Sequence, residues 1–288
     1  MTESLLIFGA SSYIGKVFSG HAKAMVEDAG SAATIYPLSS ADCNLLDIKQ
    51  VNAFFRSLPR RPYRVVIFSV INKSVSNSHE AMLANMAMVR NLVEASRIID
   101  ITSIVYISSV DVYGVPKILP LTEDSAIAPD TAYGEAKYNC EQILLNASAL
   151  SCARTIVRIP GIFGRADNDR SIIGKIANAA STGATFQLNN GGKVLRDYVW
   201  VQDLARLLVE LLPLRHHGIV NAVTGMSYSL SEIVGMVSQV LHKEIATIET
   251  SGARDREFNL CFDNLRLRSL LPNFSFSGLT RGIASYAL

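Results

Sequence analysis

Tyr133 and Lys137 stand four residues apart in the run Thr131-Ala-Tyr-Gly-Glu-Ala-Lys137. The run reads as helix, so the two side chains share one face about a turn apart. A phenol, with a reference pKa of roughly 10, exchanges protons poorly at neutral pH. A neighbouring ammonium favours the phenolate and lowers that value, which makes the tyrosine a usable acid or base. Upstream, Val105-Tyr-Ile-Ser-Ser-Val-Asp-Val-Tyr-Gly114 offers Ser109 as a hydrogen-bond donor to a substrate oxygen. Near the start, Leu5-Leu-Ile-Phe-Gly-Ala-Ser-Ser-Tyr-Ile-Gly15 joins an apolar strand to a helix through a glycine-punctuated turn. Such a junction turns free backbone N–H groups and the positive end of a helix toward a phosphate. Gly9 permits the tight turn and Gly15 a close helix–sheet contact. A YxxxK pair alone arises by chance in many helices, and a glycine turn need not hold a ligand. The three segments carry weight together, in this order.

The elements that must position these residues follow from the hydrophobic pattern. Short β-branched runs alternate with amphipathic stretches, the signature of a parallel sheet with helices on both faces. Strands are expected at Ser4–Phe8, Thr34–Leu38, Arg64–Ser69, Ile104–Ser108, Arg154–Arg158 and near Ile219–Val223. Helices are expected at about Ile14–Ala29, Ile48–Ser57, His79–Ile99 and Ala132–Ala149. Met82, Leu83, Met86, Met88, Val89, Leu92 and Val93 surround the third helix, a composition suited to core or to a subunit interface. Asn189-Asn-Gly-Gly192 reads as a turn between short strands.

The chain has 288 residues, enough for one large α/β domain with a smaller lobe. About half of it, 49%, is apolar and 18% is charged, the balance of an ordinary globular protein. The net charge is +2, and the pairs Arg60-Arg61 and Arg266/Arg268 read as solvated surface, so nucleic acid is not an expected partner. Apolar runs are strand-length, short of the roughly 18 residues that span a bilayer. A first strand near Leu5 argues against a signal peptide, and a cytoplasmic protein is expected. Cys43, Cys140, Cys152 and Cys261 are scattered without ligand spacing, so reduced thiols and no metal site are expected.

In order and spacing the three motifs resemble the extended short-chain dehydrogenase/reductases of the NAD-dependent epimerase/dehydratase family. The resemblance implies an α/β fold: a Rossmann-type doubly wound parallel sheet over residues 1–164, rejoined by 197–223, with a smaller substrate-binding lobe from 165–196 and 224–288. It implies a nicotinamide dinucleotide bound by Gly9, Ser11, Ser12, Tyr13, Ile14, Gly15, Asp47, Ser69, Tyr133, Lys137 and Ile162. Ser12 stands where the family pattern GxxGxxG has its middle glycine, and its hydroxyl is placed to reach a phosphate oxygen. Asp47, the last acid of Asp42-Cys-Asn-Leu-Leu-Asp47, matches the residue that approaches the adenine, and it also suits an N-cap for the helix at Ile48. Enzymes that use NAD usually carry an acid at the end of the second strand for the ribose hydroxyls. Tyr36-Pro-Leu-Ser-Ser40 has none, which favours NADP, with NAD as the alternative; Lys16 or Lys73 would then pair with the 2′-phosphate. Ser69-Val-Ile71 would line the ribose side, and Asn85 matches a structural asparagine of the family or else faces solvent.

The chemistry implied by the resemblance is reversible hydride transfer at a carbinol or carbonyl carbon. Tyr133 would act as acid or base, Lys137 would lower its pKa, and Ser109 would hold the substrate oxygen. Ser108 would contact cofactor or pack at the strand end. Nucleotide-sugar 4,6-dehydratases continue after the serine with an Asp-Glu pair, and here Val110 and Asp111 occupy those positions, which argues against water elimination. Ala166 replaces the histidine needed for 3,5-epimerisation. Asp111 would bind a sugar hydroxyl or serve in a turn. Arg158-Ile-Pro-Gly-Ile-Phe-Gly164 and Arg196-Asp-Tyr-Val-Trp-Val-Gln-Asp203 match family motifs at the entry to the substrate lobe. There Arg196 would grip a nucleotide diphosphate, Asp203 would cap the next helix, and Arg254 or Arg256 would supply a second diphosphate contact or remain at the surface. The leading expectation is an NADPH-dependent reductase of a nucleotide-activated 4-keto-6-deoxy sugar, a homodimer through the helices at 79–99 and 132–149. A nucleotide-sugar 4-epimerase with tightly held NAD is the enzymatic alternative, and a non-catalytic dinucleotide-binding regulator is the alternative of another class.

Overall fold

The structure is a computed structural model, and it describes residues 3–28, 30, 32–72, 75–167, 170–250 and 258–287. The chain divides into two compact units. One comprises Met1–Gly114, Ile127–Arg158 and Ala205–Val220, the other Val115–Ala126, Ile159–Leu204 and Asn221–Leu288.

The first unit is built from β1 (Ser4–Phe8), α1 (Tyr13–Asp28), β2 (Ile35–Leu38), α2 (Ile48–Ser57), β3 (Pro62–Ile67), α3 (His79–Ala95), β4 (Asp100–Ser109), α4 (Ala132–Leu145) and β5 (Ala153–Ile159). Among the described residues its sheet has six strands in the order β2-β1-β3-β4-β5-β9, where β9 is Gly218–Asn221. β1 runs parallel to both β2 and β3, and β3 parallel to β4. The chain leaves β1 in one direction to β2 and returns on its other side as β3, so the strand order reverses between β1 and β3. In doubly wound sheets ligands bind outside the carboxyl ends of the strands at this reversal.

The expected helix boundaries shift for local reasons. α3 stops at Ala95, four residues short of Ile99, because Ser96–Ile98 tighten into a 3₁₀ turn with the Ser96 hydroxyl donating to the Val93 carbonyl at 2.7 Å. α4 stops at Leu145, where Asn146 leaves helical geometry. Between β2 and α2 the chain folds into turns, pinned by the buried Cys43 and Leu45 and by Asn91 Nδ2 donating to the Leu45 carbonyl at 2.8 Å. The core beneath includes Leu6, Phe8, Phe55, Val65, Val89, Ile104, Leu144 and Ile156. Val89 and Leu92 of α3 are buried there and Met82 is buried as well, whereas Leu83 stays 48% exposed.

The second unit holds β6 (Gly161–Phe163), α5 (Ile172–Thr182), β7 (Phe186–Asn189), β8 (Leu195–Trp200), β10 (Ser227–Ser229), α7 (Leu230–Leu241), β11 (Thr247–Thr250), α8 (Leu265–Leu270) and α9 (Leu279–Ala284); α6 (Val201–Leu211) begins in it. Asn190–Gly192 does form a turn after β7, but β7 pairs with β11 while β8 lies between β6 and β10, so the two strands it joins belong to different sheets. Ile173, Ile176, Leu188, Ile233, Val237 and Ile283 form this unit's core. Among the described residues no helix is long and apolar enough to cross a membrane.

Two glycines test the packing. Gly114 sits at φ +60°, and a Cβ there would lie 1.7 Å from the Ala128 carbonyl oxygen, while a Cβ on Gly235 of α7 would meet nothing within 4 Å. Gly114→Ala is expected to cost about 3 kcal/mol in urea unfolding, and Gly235→Ala to stabilise by about 0.5–1 kcal/mol by lowering the entropy of the unfolded chain.

Candidate active site

The turn after β1 is built from close backbone approaches. Gly9, at φ +80°, places its α-carbon so that a Cβ would fall 2.6 Å from the Ser69 amide nitrogen, at the end of β3. A Cβ on Gly15 would fall 2.3 Å from the Gly9 carbonyl oxygen. The amides of Gly9 and Ala10 both donate to the Leu38 carbonyl, at 2.9 and 3.0 Å, which ties this turn to the end of β2. The cradle therefore lies at the strand reversal, lined by Gly9, Ser11, Ser12, Gly15 and Ser69, with Ser11 and Ser12 exposed. Such a backbone fits a dinucleotide pyrophosphate at the head of a helix. Tyr13 and Ile14, both half-buried, open that helix. The Ser12 hydroxyl accepts from the Gly15 amide at 3.1 Å and so closes the first turn of α1.

Asp47 caps α2: its Oδ1 accepts from the Lys49 and Gln50 amides at 2.9 and 3.3 Å. Asn85 does not face solvent. It is buried on α3, accepts from the Ile71 amide at 2.7 Å and donates to the Ile71 carbonyl at 3.1 Å, which holds the stretch after Ser69 in place. Lys16 is exposed in the first turn of α1, and Lys73 lies outside the described residues.

Ser109, Asp111, Tyr133 and Lys137 come together at the end of β4 and the start of α4. Thr131 caps α4 by accepting from the Gly134 amide at 3.0 Å, and Asn77 accepts from the Tyr133 amide at 3.0 Å. A Cβ on Gly134 would lie 2.7 Å from the Asp111 carbonyl, so this glycine lets the helix approach the turn that follows β4. The Ser109 hydroxyl oxygen accepts from the Asp111 amide at 3.1 Å. Burial and the charge of Asp111 raise the Tyr133 pKa, and a hydrogen bond to Ser109 opposes them. Lys137 is buried, donates from Nζ to the Ile107 carbonyl at 2.6 Å, and lies 5.9 Å from the Tyr133 ring centre. Burial lowers its pKa to about 8, against the charge of Glu141. The lysine was expected to pull the tyrosine pKa down. In this arrangement the phenol goes up instead, because desolvation and Asp111 act on it more strongly.

Behind the pair lies a network the sequence did not announce. Glu141, one turn beyond Lys137, is fully buried and accepts from Arg158 Nε at 3.0 Å, Arg158 Nη2 at 2.6 Å and Ser108 Oγ at 2.5 Å. The Arg158 guanidinium also stacks 4.8 Å from the centre of the Tyr113 ring. Ser108 is thus a structural donor to Glu141. The only sequence signal was a glutamate on the inner face of α4, four residues past Lys137.

In the second unit, Ile162 is the central residue of β6, paired with Val199 of β8. Arg196 Nη1 donates to the carbonyls of Leu195 at 2.8 Å and Phe258 at 2.5 Å, with the guanidinium 5.5 Å from the Phe258 ring centre. Asp203 falls inside the first turn of α6 and accepts from the Ser277 amide and hydroxyl at 2.7 and 2.8 Å, so it anchors a distant loop where a helix cap was expected. Arg254 and Arg256 lie outside the described residues. A cavity of about 230 Å³ in this unit is lined by Tyr198, Trp200, Tyr228 and Arg268 among others; Ser109, Tyr133 and Lys137 take no part in it.

Removing one partner of the buried pair, by Glu141→Gln or Arg158→Met, is expected to cost about 3–5 kcal/mol in chemical denaturation, because the other charge stays behind unpaired. The double replacement Glu141→Leu with Arg158→Met is expected to cost less than either single change, measured in the same unfolding series.

Comparison with known proteins agrees with this geometry. Residues 5–222 match the family model described as the NAD dependent epimerase/dehydratase family. A UDP-glucose 4-epimerase of Corynebacterium glutamicum is 26% identical over 266 residues, covering 82% of this chain and 80% of that protein. Among solved structures, RMD from Pseudomonas aeruginosa complexed with NADPH superposes with a TM-score of 0.84 at 19% identity, covering 99% of this chain and 98% of the other. The Thermus thermophilus UDP-glucose 4-epimerase complex with NAD gives 0.82 at 18% identity, with 99% and 97% covered. The fold is that of a Rossmann-type α/β protein, and this chain belongs to the NAD-dependent epimerase/dehydratase family.

Proposed function

We propose that this protein is an enzyme that interconverts epimers at C4 of a nucleoside-diphosphate-linked sugar, using a nicotinamide dinucleotide. The observation that carries the reading is the convergence of Ser109, Tyr133 and Lys137 on one end of β4 and α4, with Val110 where a dehydratase acid would stand. The C. glutamicum relative, a UDP-glucose 4-epimerase similar over most of both chains, supports the 4-position.

Gly9, Ser11, Ser12, Gly15, Ser69 and Lys137 would hold the dinucleotide, and Gly9 and Gly15 fit it because each leaves backbone where a side chain would intrude. When bound, it supplies a carbon that accepts and returns a hydride. The residues of the chain supply the proton chemistry. Tyr133 takes the proton of the C4 hydroxyl in oxidation and returns one to the C4 oxygen in reduction. The Ser109 hydroxyl holds that oxygen, and donors aimed where negative charge develops are worth several kcal/mol once water is excluded. The Lys137 ammonium, fixed on the Ile107 carbonyl, keeps a positive charge beside the site. Asp111 would accept a sugar hydroxyl. The second unit is proposed as the substrate-binding lobe, with Arg196 as a candidate ligand of the diphosphate. The exposed Leu83 on α3 supports a homodimer through α3 and α4.

A second reading is reduction of a nucleotide-linked 4-keto-6-deoxy sugar, for which a second strand that ends Tyr36-Pro-Leu-Ser-Ser40 without an acid suits NADPH. Incubation with UDP-glucose or UDP-galactose, analysed for the C4 epimer, separates the two from an assay with 4-keto sugars that follows absorbance at 340 nm. Epimer formation without net dinucleotide consumption supports epimerisation; stoichiometric consumption with only the keto sugar replaces it with reduction.

Tyr133→Phe is expected to lower turnover by about 10²–10⁴-fold while dinucleotide binding persists. With the Lys137 pKa near 8, the fraction carrying the ammonium falls as pH rises through that value. Turnover is therefore expected to decline above about pH 8 along a single-proton limb, read from a kcat–pH profile.

A further inference from the structure

The second unit carries a cavity of about 230 Å³ that the proposed sugar chemistry leaves without a role. All of its lining residues lie in that unit, chiefly on β6, β8, β10, α8 and the segment leading into α9. Tyr198, Trp200 and Tyr228 present aromatic surface to it. Phe274 and Phe276 do the same, with their rings edge to face at 5.1 Å.

The polar groups around this aromatic wall divide into acceptors already engaged and donors left open. Asp203, the one acid in the lining among the described residues, accepts from the Ser277 amide and hydroxyl at 2.7 and 2.8 Å. Asp197, whose charge reaches Tyr228, accepts from Thr224 Oγ1 and the Gly225 amide, both at 2.9 Å. Among the described residues, the Trp200 indole N–H, the Tyr198 hydroxyl and the exposed Arg268 guanidinium meet no hydrogen-bond or ion-pair partner. The Tyr228 hydroxyl meets only the Met226 sulfur, at 3.9 Å. Arg266, two residues before Arg268, is by contrast paired with Asp124 at 2.7 Å. Burial raises the pKa of both phenols, that of Tyr198 to about 12, so each keeps a proton to donate. One acceptor also stays open, Asn264 Oδ1, because the amide nitrogen of that side chain donates to the Thr224 carbonyl at 2.7 Å.

Size and polarity together define the occupant. A cavity of roughly 150 Å³ holds benzene and drug-sized ligands take roughly 300–1,000 Å³, so this one suits a single ring with a small substituent. Walls of aromatic rings favour a planar guest. An excess of donors favours an acceptor-rich one, and a guanidinium forks naturally around a carboxylate. We propose that the cavity binds a monocyclic aromatic carboxylate, its ring among Tyr198, Trp200 and Tyr228 and its carboxylate on Arg268. The site is separate from the cluster of Ser109, Tyr133 and Lys137 and takes a ligand other than the sugar nucleotide.

Trp200 is the chain's single tryptophan, so its fluorescence reports on this cavity alone. Full-length protein is titrated with benzoate, and with benzyl alcohol as the uncharged analogue, by indole fluorescence and by calorimetry in parallel. Wild type is expected to give a saturable change with benzoate and to bind benzyl alcohol at least about tenfold more weakly, since a hydrogen bond to a charged group is the stronger kind. Arg268→Gln is expected to weaken benzoate at least about tenfold and to leave benzyl alcohol unchanged. The Arg268 side chain is exposed, so the thermal midpoint of that variant is expected to match wild type. Tyr228→Phe keeps the ring, removes one donor and is expected to weaken benzoate about threefold. UDP-glucose is expected not to displace benzoate. No saturable binding of benzoate to wild type overturns the proposal, as does an affinity that Arg268→Gln leaves intact. Displacement by UDP-glucose also overturns it, because the cavity would then belong to the sugar-nucleotide site.

Discussion

Two opposite charges meet in the interior of the first unit, and the candidate active site hangs from them. Burying an isolated carboxylate or guanidinium costs several kcal/mol, and the mutual attraction of a pair repays this only when the remaining hydrogen-bonding capacity is also met. Glu141 and Arg158 meet that condition. One carboxylate oxygen receives Ser108 and Arg158 Nε, the other receives Arg158 Nη2, and the flat face of the guanidinium rests on Tyr113. The pair joins α4 to β5 directly, and through Ser108 and Tyr113 it reaches the end of β4 and the turn beyond. Ser109 is the next residue after Ser108, and Lys137 lies one helical turn before Glu141. A displacement of either element would leave a buried charge unsatisfied, so the network fixes the register of the helix that carries Tyr133 and Lys137 against the strand that carries Ser109.

Close backbone approach does the complementary work. Gly134 lets α4 come down on Asp111, and Gly9 lets β1 turn against Ser69, both at separations no side chain would permit. Asn85 completes the frame by pairing with both the amide and the carbonyl of Ile71, which ties the half-buried stretch after β3 to α3. The glycine turn and the Ser109–Tyr133–Lys137 cluster are thus set by the same sheet, one at the strand reversal and the other two strands away at the end of β4.

Much of this was legible in the sequence, because periodicity and local punctuation report local structure. β1 and α2 fall at their expected bounds, and the Gly9–Gly15 turn and the Asp47 cap of α2 follow from residue types. What escaped depended on contacts between distant residues or on turns that fold back. The Glu141–Arg158 pair spans 17 positions and joins a helix to a strand, so no motif announces it. Asp42 looked like part of an acidic stretch leading to Asp47, and only the turn at Ser39 shows where its carboxylate goes. Asp203 was expected as a cap from a matching motif, yet lies within the helix and anchors Ser277. The direction of the Tyr133 pKa escaped for a related reason. Spacing showed the nearby lysine but could not show burial or Asp111.

Under the proposed epimerisation the site must serve both halves of a redox cycle, and that direction bears on how it would do so. At neutral pH Tyr133 is a phenol and Lys137 an ammonium, so the site is set to give a proton to a carbonyl oxygen. Oxidation of an alcohol asks for the opposite state, and something must relieve the forces that keep the proton on Tyr133. Desolvation is fixed by the fold. The field of Asp111 is adjustable, since a hydroxyl donated to its carboxylate draws part of that charge away from the phenol and lowers the free energy of the phenolate. Ser109 acts in the same sense: its oxygen already accepts from the Asp111 amide, which strengthens its hydroxyl as a donor toward the Tyr133 oxygen. A sugar that donates one hydroxyl to Asp111 and presents another to Tyr133 would in this way prepare the base that removes its own proton. Under the proposed reaction, selection for the correct sugar and activation of the tyrosine would become one event, carried by a carboxylate that never touches the reacting carbon.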